Sequence, residues 1–513
     1  MDLSRRDFAI AGLAAAAGPT LYPALAQAAP AKGGVITVAT IGEPPTLDPV
    51  VSTADLVGMI AQHMFETLFT FDSNWKVTPL LAAGLPTIAK GGTEYTIKLR
   101  QGVKFHDGSP MTVEDVLASL KRWMKIASRG QQVAPNVSKL EKVDAGAVRI
   151  TLKKPYAPLA ALLAFNNSAA VIMPANKLAD TLTAFIGTGP YKLKAHVPDR
   201  YIQLVRFDAY ASPPGAPDGY GGGRHPDLAG ITFVPVPDAN TRTDGALAGQ
   251  YHYADSLPVE AYDRLTKSHA SLPLLLKPFG WPQMVMNTKQ GGLAKVALRQ
   301  AVQAALSPKD MLEAAFGTPR FYAVDGALYP KNYVWHTDAG IVRYGAADPA
   351  KAKALMKQGG YDGSPIRLMA SRQYPFHYKI AQVAEAYLQQ AGFKVDLQVM
   401  DWATLIQRRG DPKLWEIFIT HSPFLPEPAL DGFMSDDFPG WWATPQKDAL
   451  VAKFNSEADP AKRVKLWAQV QALFYAQAPL IKVGDFNSLA ARSPKLKGLV
   501  PAPWPYFWNV TLA

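Results

Sequence analysis

The residues best suited to bind a small molecule follow predicted strands and turns, mostly in the second half of the chain. They combine charged, amide, imidazole and aromatic side chains: Glu43, Arg372, Gln373, Tyr374, Trp402, His421, Phe424, Trp441 and Trp442. An arginine can pair with a carboxylate through two parallel hydrogen bonds, and aromatic rings stack on apolar or planar groups. Two alternatives stay open: the aromatic side chains can pack in a core, and Arg372 can be a solvated surface residue.

Motifs for catalysis and for metal binding are missing from the sequence. The nine histidines include no pair spaced three to five residues apart, and the chain has no cysteine. Thiolate zinc sites, iron–sulfur clusters and cysteine nucleophiles are therefore excluded. Neither a G-x-x-x-x-G-K-[ST] phosphate loop nor a G-x-S-x-G nucleophile turn occurs. We therefore expect no enzyme activity, no metal and no cofactor.

The stretch from 366 to 420 alternates between predicted strands and helices. Strands are predicted over 366–370, 393–399 and 415–420, and helices over 376–390 and 402–408. This alternation is typical of a parallel α/β layer. In such sheets, ligands bind beyond the carboxyl ends of the strands. The candidates that follow these three strands are therefore expected to meet at one edge of a sheet.

Length and charge place the chain among large globular proteins. Its 513 residues correspond to roughly three domain-sized units at ~150 residues each. The formal net charge is +11, but no basic cluster is interleaved with aromatic residues. Nucleic acid is therefore not an expected partner.

The N-terminus reads as an export signal over residues 1–28. Arg5-Arg6 precede a short apolar stretch, 9–17, and small residues offer cleavage sites after Ala26 or Ala28. These three parts define a signal peptide, and the arginine pair resembles a twin-arginine signal. We therefore expect a periplasmic protein; the alternative is an uncleaved N-terminal anchor.

Seven segments of the sequence occur in the order that is typical of one protein family. The most specific is LRQGVKFHDGSPMTVEDVLASLKR (99–122). The others are GEPPTLDP (42–49), MFETLFTFD (64–72), GTGPYKL (187–193), MNTKQGGLAKVALRQAVQAAL (286–306), DPAKAKALMKQGGY (348–361) and VAEAYLQQAGFKVDLQVMDW (383–402). Together they resemble the extracellular solute-binding proteins of ABC importers, family 5, the peptide/nickel/opine-binding group, from about residue 33 to about residue 498.

The resemblance implies an α/β periplasmic binding protein of type II-like, two-lobed architecture, with the ligand cleft between the lobes. Lobe one would comprise 29–270 plus 485–513, with an extra subdomain at about 72–184, and lobe two 271–484. The implied function is capture of a peptide-like or small organic solute by hinge closure and its delivery to ABC permease subunits in the inner membrane. A monomer is expected. The alternative is a periplasmic sensor that presents its closed form to a chemoreceptor or sensor kinase.

One position departs from the family pattern. Dipeptide-binding members carry an aspartate four residues before the proline of an aspartate–proline pair, and this aspartate holds the amino terminus of the peptide. Here the pair corresponds to Glu427-Pro428, and the matching position is Phe424. A buried amine without a partner would cost roughly several kcal/mol. We therefore expect no binding of unmodified peptides through that contact, and an anionic, aromatic or blocked ligand instead. Nickel is not expected, because the chain has no histidine or cysteine cluster.

Overall fold

The computed structural model describes residues 33–331, 333–345 and 347–513; the predicted export signal at 1–28 lies outside them. Strands are numbered along the chain. Those of the first half are β1 (Val35–Thr40), β2 (Phe69–Phe71), β3 (Val77–Pro79), β4 (Thr87–Ala89), β5 (Glu94–Lys98), β6 (Val137–Asp144), β7 (Ala147–Leu152), β8 (Tyr191–Val197), β9 (Tyr201–Arg206), β10 (Gly230–Pro235) and β11 (Tyr253–Leu257). Those of the second half are β12 (Leu272–Met286), β13 (Tyr322–Ala323), β14 (Ile366–Ser371), β15 (Val395–Met400), β16 (Ile417–Pro423), β17 (Leu480–Lys482), β18 (Asp485–Arg492), β19 (Leu496–Lys497) and β20 (Thr511–Leu512).

The helices are distributed over the whole described chain and are numbered in the same way. They are α1 (Asp55–Ala61), α2 (Val113–Ile126), α3 (Ser128–Val133), α4 (Leu159–Leu162), α5 (Ala239–Leu247), α6 (Tyr262–Thr266), α7 (Val296–Ala305), α8 (Pro308–Phe316), α9 (Pro349–Gly359), α10 (Pro375–Ala391), α11 (Trp402–Arg408), α12 (Pro445–Ser456) and α13 (Pro460–Gln477). None of the helices in the described part of the chain has both the length and the apolar character of a membrane-spanning helix.

One twelve-stranded sheet runs through the molecule. Its main path is β15-β14-β16-β12-β18-β11-β1-β10-β9-β8, with β13 and β17 paired at its sides. β14 is parallel to both β15 and β16, and β1 is parallel to both β10 and β11. Each half of the sheet therefore contains parallel strands, which confirms the α/β class and the parallel layer predicted for 366–420.

Two strands join the ends of this sheet. β12 pairs antiparallel with β18 over its first part and with β16 over its second part. β18 in turn pairs with β11. The chain thus passes from one end of the sheet to the other along β12 and returns along β18. These crossings lie close to the predicted boundaries at 270 and 485, and the lobe names below follow those predicted bounds.

A smaller sheet lies in the first lobe. Four antiparallel strands, in the order β4-β5-β7-β6, form it, and α2 packs against β6 and β7. Thr112 and Asp115 form a reciprocal capping box at the start of α2. Val116, Leu120 and Trp123 are buried on one face of α2, as the helical spacing predicts. These elements occupy part of the region predicted as an extra subdomain, whose bounds stay a prediction.

Several hydrophobic cores support the two lobes. A large core surrounds β1 and the helices of the first lobe, and it includes Trp123, Trp504 and Trp508. In the second lobe, one core lies under α7 and α10 and another lies around Trp415 and Trp467. The large core also includes residues of the second lobe, so apolar packing joins the lobes as well: Tyr374, Leu425 and Leu430.

Candidate functional site

A cavity of about 390 Å³ lies between the two lobes. Small-molecule sites commonly have volumes of ~300–1,000 Å³. The first lobe contributes residues from 51–55, 126–132 and 165–167, together with Trp504. The second lobe contributes Gln283, Tyr374 and residues from 402–410, 420–425 and 430–439. Both lobes therefore line the cavity, so a molecule bound in it would contact both.

Three of the predicted site residues line this cavity together. The ring of Tyr374 lies 5.2 Å from that of Trp402 and 4.7 Å from that of His421, with edge-to-face geometry in both pairs. Tyr374 is buried and Trp402 is half-buried. Tyr374 and Trp402 follow β14 and β15, and His421 lies near the carboxyl end of β16, so these three strand ends lie together at one edge of the sheet. They form an aromatic wall on the side of the second lobe.

A second buried histidine forms a hydrogen bond with His421. This second residue is His377, which lies in the first turn of α10. Nε2 of His377 lies 3.0 Å from Nδ1 of His421. Burial lowers the pKa of His421 to about 3 and lowers that of His377 well below its ordinary value. Both rings are therefore neutral at neutral pH, with one ring donating the shared hydrogen bond and the other accepting it.

Glu43, Arg372 and Gln373 lie outside the cavity. Glu43 accepts hydrogen bonds from Nε2 of His196 at 2.6 Å and from the backbone N–H of Asp199 at 3.2 Å. Arg372 lies over the ring of Tyr378 at 4.5 Å and, with Gln373, lines an open groove of about 550 Å³. Gln373 also accepts a hydrogen bond from the backbone N–H of Trp402 at 2.5 Å, which orients the start of α11.

Phe424, Trp441 and Trp442 pack within the second lobe. Phe424 is buried, and its ring lies 5.9 Å from that of Tyr333. Trp441 stacks on Trp415 at 5.6 Å. Trp442 is buried, and its Nε1 donates to the Gln477 side chain at 2.6 Å. None of the three lines the cavity, so core packing, the alternative raised for the aromatic residues, describes their surroundings.

Besides the exposed Asp437, four charged residues that sequence reasoning missed line the cavity: Asp55, Arg129, Arg409 and Asp431. Asp55 and Arg129 lie on short helices of the first lobe, Arg409 directly follows α11, and Asp431 lies in a loop after β16. Only Arg409 carried a usable signal, because it lies seven residues after Trp402, directly after the helix that begins at the strand end. The other three are far from one another in sequence and meet only in the folded chain.

Arg129 is the most enclosed of these cations. Its exposed fraction is 7%, and its guanidinium lies 4.6 Å from the ring centroid of Phe165. It donates to the Asn167 side chain at 2.6 Å and, across the cavity, to the backbone carbonyl of Leu430 at 2.9 Å. Its Nε has no hydrogen-bond partner among the described residues. Burial lowers the pKa of Arg129 to about 10.

Arg409 is the second cation of the cavity. Its Nη2 donates to Oγ1 of Thr53 in the first lobe at 3.1 Å, and its guanidinium lies 5.7 Å from the ring of Phe438. Burial lowers the pKa of Arg409 to about 10. Within the described residues no carboxylate pairs with it. A half-buried cation without an acidic partner is a favourable contact for an anionic group.

The two carboxylates lie on opposite lobes. Asp55 accepts hydrogen bonds from Nε1 of Trp504 at 2.8 Å and from Nδ2 of Asn167 at 3.5 Å. Asp431 accepts one from the hydroxyl of Tyr329 at 2.9 Å. Burial raises the pKa of Asp55 to about 6 and that of Asp431 to about 7, and the positive charge of Arg129 opposes both increases.

Direct contacts join the lobes around the cavity. Besides the bonds from Arg129 and Arg409, the backbone N–H of Ala157 donates to the carbonyl of Asn455 at 2.8 Å. Lys379 and Glu260 form a salt bridge of 2.5 Å beside the open groove. In the described part of the chain, no group of three or more histidine, cysteine, aspartate or glutamate side chains is arranged to hold a metal ion.

Comparison with known proteins identifies relatives of this fold and site. The model of the family described as bacterial extracellular solute-binding proteins, family 5 Middle, matches residues 76–466. The chain is 29% identical over 535 residues to the "Probable peptide ABC transporter periplasmic-binding protein y4tO" of Sinorhizobium fredii, with all of both chains covered. It is 28% identical over 517 residues to the "Glutathione-binding protein GsiB" of Salmonella typhi, covering 95% of each.

Solved structures share the architecture. The binding protein AgaA of A. tumefaciens R10, in complex with agropinic acid, has a TM-score of 0.82 and 26% identity, covering 94% of this chain and 99% of AgaA. DppA of Helicobacter pylori, in complex with the peptide STSA, has a TM-score of 0.81 and covers 94% and 98% of the two chains. At 20% identity, DppA shows the fold alone. The two-lobed α/β architecture predicted from the sequence is thereby confirmed.

Proposed function

The chain belongs to family 5 of the bacterial extracellular solute-binding proteins, and we propose that it is the solute-binding component of an ABC importer. It would capture a small peptide-like or other organic solute between its lobes and present the closed form to membrane permease subunits. The observation that carries this proposal is the cavity of about 390 Å³, lined by both lobes. A solute that contacts both lobes favours the closed arrangement over the open one.

The lining supports a solute with an anionic and an apolar or planar part. Arg409 offers a cation without an acidic partner, so a carboxylate of the solute would be its natural counter-charge. Trp402 and Tyr374 offer ring surface on the side of the second lobe. Among the residues predicted from the sequence, we assign solute contact to Tyr374, Trp402 and His421, and we assign Arg409 in place of Arg372.

The names of related proteins indicate which small organic solutes they bind or transport. The y4tO relative is named for peptide transport, GsiB for glutathione, and AgaA is in complex with agropinic acid. All three names concern small organic molecules, and the name of y4tO places it in an ABC transporter. These names support transport of a peptide-like solute by this chain, and they favour transport over the sensor alternative.

The remaining parts of the proposal concern the setting of the protein. We propose a periplasmic protein, exported by the twin-arginine signal at 1–28 and acting as a monomer without a cofactor, catalysis or nucleic acid. The predicted signal and the family support the compartment. Amino-terminal sequencing of the exported protein tests the signal: a new terminus at residue 27 or 29 is expected. Loss of export on Arg5-Arg6→Lys-Lys is the expected result for the twin-arginine route.

Calorimetry and thermal unfolding test solute binding. The purified mature protein is titrated with glutathione, agropinic acid and a set of dipeptides and tripeptides, with free sugars as controls. At 100 times the Kd, a bound solute adds roughly 2.7 kcal/mol to the free energy of unfolding. We expect such stabilisation with at least one peptide-like or opine-type probe and none with the sugars. A response to none of the probes would contradict the proposed solute class.

A further inference from the structure

The charges that line the cavity are unevenly paired. Arg129 is the electrostatic neighbour of both Asp55 and Asp431, so one guanidinium faces two carboxylates. Arg409, in contrast, has no acidic partner among the described residues. When both aspartates are ionised, two carboxylates therefore share one guanidinium, whereas no described carboxylate lies within salt-bridge distance of Arg409; the exposed Asp437 also lines the cavity. A solute with a cationic and an anionic group would balance both.

The carboxylates also have free hydrogen-bonding capacity. Asp431 is only 4% exposed, yet it lines the cavity and only its Oδ2 accepts a hydrogen bond from a described residue, the hydroxyl of Tyr329. For Asp55, only Oδ1 accepts hydrogen bonds from described residues. A carboxylate can accept at both oxygens. A buried carboxylate that faces a cavity with an unused oxygen is a natural acceptor for a bound donor.

We propose that Asp55 and Asp431, one from each lobe, together bind a cationic group of the solute, an ammonium or a guanidinium. This inference rests on the proposed solute-binding function and narrows its ligand to a zwitterion, with the cationic group between the two aspartates and the anionic group at Arg409. Because the aspartates belong to different lobes, a cation shared between them also holds the lobes together.

The position of Phe424 supports a cation site elsewhere than the family pattern suggests. Phe424 is 2% exposed, and the ammonium of Lys482 lies 5.7 Å from its ring centroid. Lys482 is paired with Asp485 at 2.6 Å, so a solute amine beside Phe424 would approach a cation whose carboxylate is already engaged. Tyr329 lies beside Phe424, with 6.5 Å between ring centroids, and its hydroxyl donates to Asp431. The nearest carboxylate in this network that faces the cavity is thus Asp431.

Release of protons on binding would distinguish a cationic solute from a neutral one at this site. The charged or titratable groups around Asp431 are Tyr329, Arg129 and Glu427, and those around Asp55 are Arg129, Asp255 and Tyr374. With pKa values of about 6 and about 7, both aspartates are partly protonated near pH 6.5. A bound cation lowers these pKa values and expels protons. Binding of a neutral or acetylated analogue would not expel them.

Paired probes test the cation site in the mature protein. Glutathione and methionyl-leucine are compared with their N-acetylated forms by calorimetry at pH 6.5, in two buffers of different ionisation enthalpy. We expect the amine forms to bind about 10- to 100-fold more tightly, because a hydrogen bond between charged partners is lost on acetylation. We also expect proton release with the amine forms alone. Equal affinity of both forms, or no proton release, would overturn the cation site.

Variants separate the cation site from the general function. Asp431→Asn and Asp55→Asn are expected to weaken the amine forms about 10- to 100-fold and to leave the acetylated forms unchanged. Asp208→Asn is the matched control, because Asp208 is an exposed aspartate that does not line the cavity, and it should change neither. Thermal unfolding verifies that each variant folds. Unchanged amine binding in both variants overturns the cation site and leaves solute binding intact. If wild-type protein binds neither form of either probe, the cation site is overturned, and the wider probe set of the binding test above decides the proposed function.

Discussion

The surroundings of two arginines decide what each can bind. Arg409 is half-buried in the cavity, held by Thr53 across the lobes and faced by aromatic rings. Arg372 is exposed, stacks on Tyr378 and lines an open groove where water screens its charge. Electrostatic attraction is several-fold stronger in a desolvated site than in water. The same side chain is therefore a binding group at one position and a surface group at the other.

Removing each guanidinium in turn tests this contrast. We expect Arg409→Met to weaken the tightest carboxylate-bearing probe about 10- to 100-fold, because a charge-assisted hydrogen bond is lost. Arg372→Met serves as the matched control and should leave the affinity nearly unchanged. Isothermal calorimetry measures both. The assignment of Arg409 fails if Arg372→Met has the larger effect, and the original prediction of Arg372 would then be restored.

Whether a site residue could be predicted from the sequence depends on how far along the chain it lies from the residues that it meets. Tyr374, Trp402 and His421 could be predicted as neighbours, because each lies near the carboxyl end of a predicted strand and parallel strands end at one edge. Arg372 and Glu43 follow strands too, but the strand-end rule does not say which side of the edge a side chain reaches. Asp55 and Arg129 come from the other lobe, so their meeting with the second lobe depends on the packing of the whole chain.

At the scale of elements, β12 and β16 meet with very little space between them. Gly280 of β12 lies opposite Pro423 of β16, and a Cβ atom at Gly280 would lie 1.9 Å from the carbonyl oxygen of Ser422. A contact this short forces the backbone to move. The segment that would move carries His421, part of the aromatic wall of the cavity.

Adding one methyl group therefore tests how β12 positions the site. We expect Gly280→Ala to reduce the free energy of unfolding by ~1–3 kcal/mol, as overpacking of a core does. Solute affinity should fall as well, because the end of β16 is displaced. Gly84→Ala is the control, since a Cβ at Gly84 has no atom within 4 Å. Urea unfolding and calorimetry give the two quantities. An unchanged Gly280→Ala protein would show that the strand ends are not tightly constrained.

The presence and type of the elements over 366–420 are the part of the fold that the sequence predicts best, although the strands predicted at 393–399 and 415–420 begin two residues before β15 and β16. The predicted helices at 376–390 and 402–408 correspond to α10 and α11, and the predicted strand at 366–370 corresponds to β14. Local signals are sufficient here: Pro375 begins α10, Gly392 ends it in a left-handed conformation, and Asp401 caps α11. The order of strands across the large sheet has no such local signal, because it joins segments from both ends of the chain.

At the scale of the whole molecule, the C-terminal segment is bound to the first part of the chain through the buried His63. Nδ1 of His63 lies 3.0 Å from the backbone carbonyl of Met59, and its Nε2 accepts from the backbone N–H of Phe507 at 3.1 Å. The ring also stacks on that of Phe507 at 5.5 Å. This pattern requires a neutral ring with the proton on Nδ1. Protonation at Nε2 would direct an N–H against another N–H and break the link.

Acidification should therefore loosen the fold through His63. Burial lowers the pKa of His63 from 6.5 to about 4, so between these values the unfolded chain binds a proton that the native chain does not. The contribution of His63 to stability is complete above pH 6.5 and is lost as the pH falls towards 4. Each pKa unit corresponds to ~1.4 kcal/mol, which gives a contribution of up to about 3 kcal/mol across this window.

Buried aspartates change the free energy of unfolding with pH in the opposite direction. The contribution of His63 is therefore measured as the difference between wild type and a His63 variant. The raised pKa values of Asp55, Asp431 and Asp485 make the native chain bind more protons than the unfolded one, and these groups lower stability as the pH rises from about 4 to about 7. Subtracting the urea-unfolding curve of His63→Gln from that of wild type cancels them. We expect this difference to grow with pH between 4.5 and 6.5, whereas the difference for the exposed His269→Gln stays flat. A flat difference for His63→Gln would contradict the role of a neutral His63 in fastening the C-terminal segment.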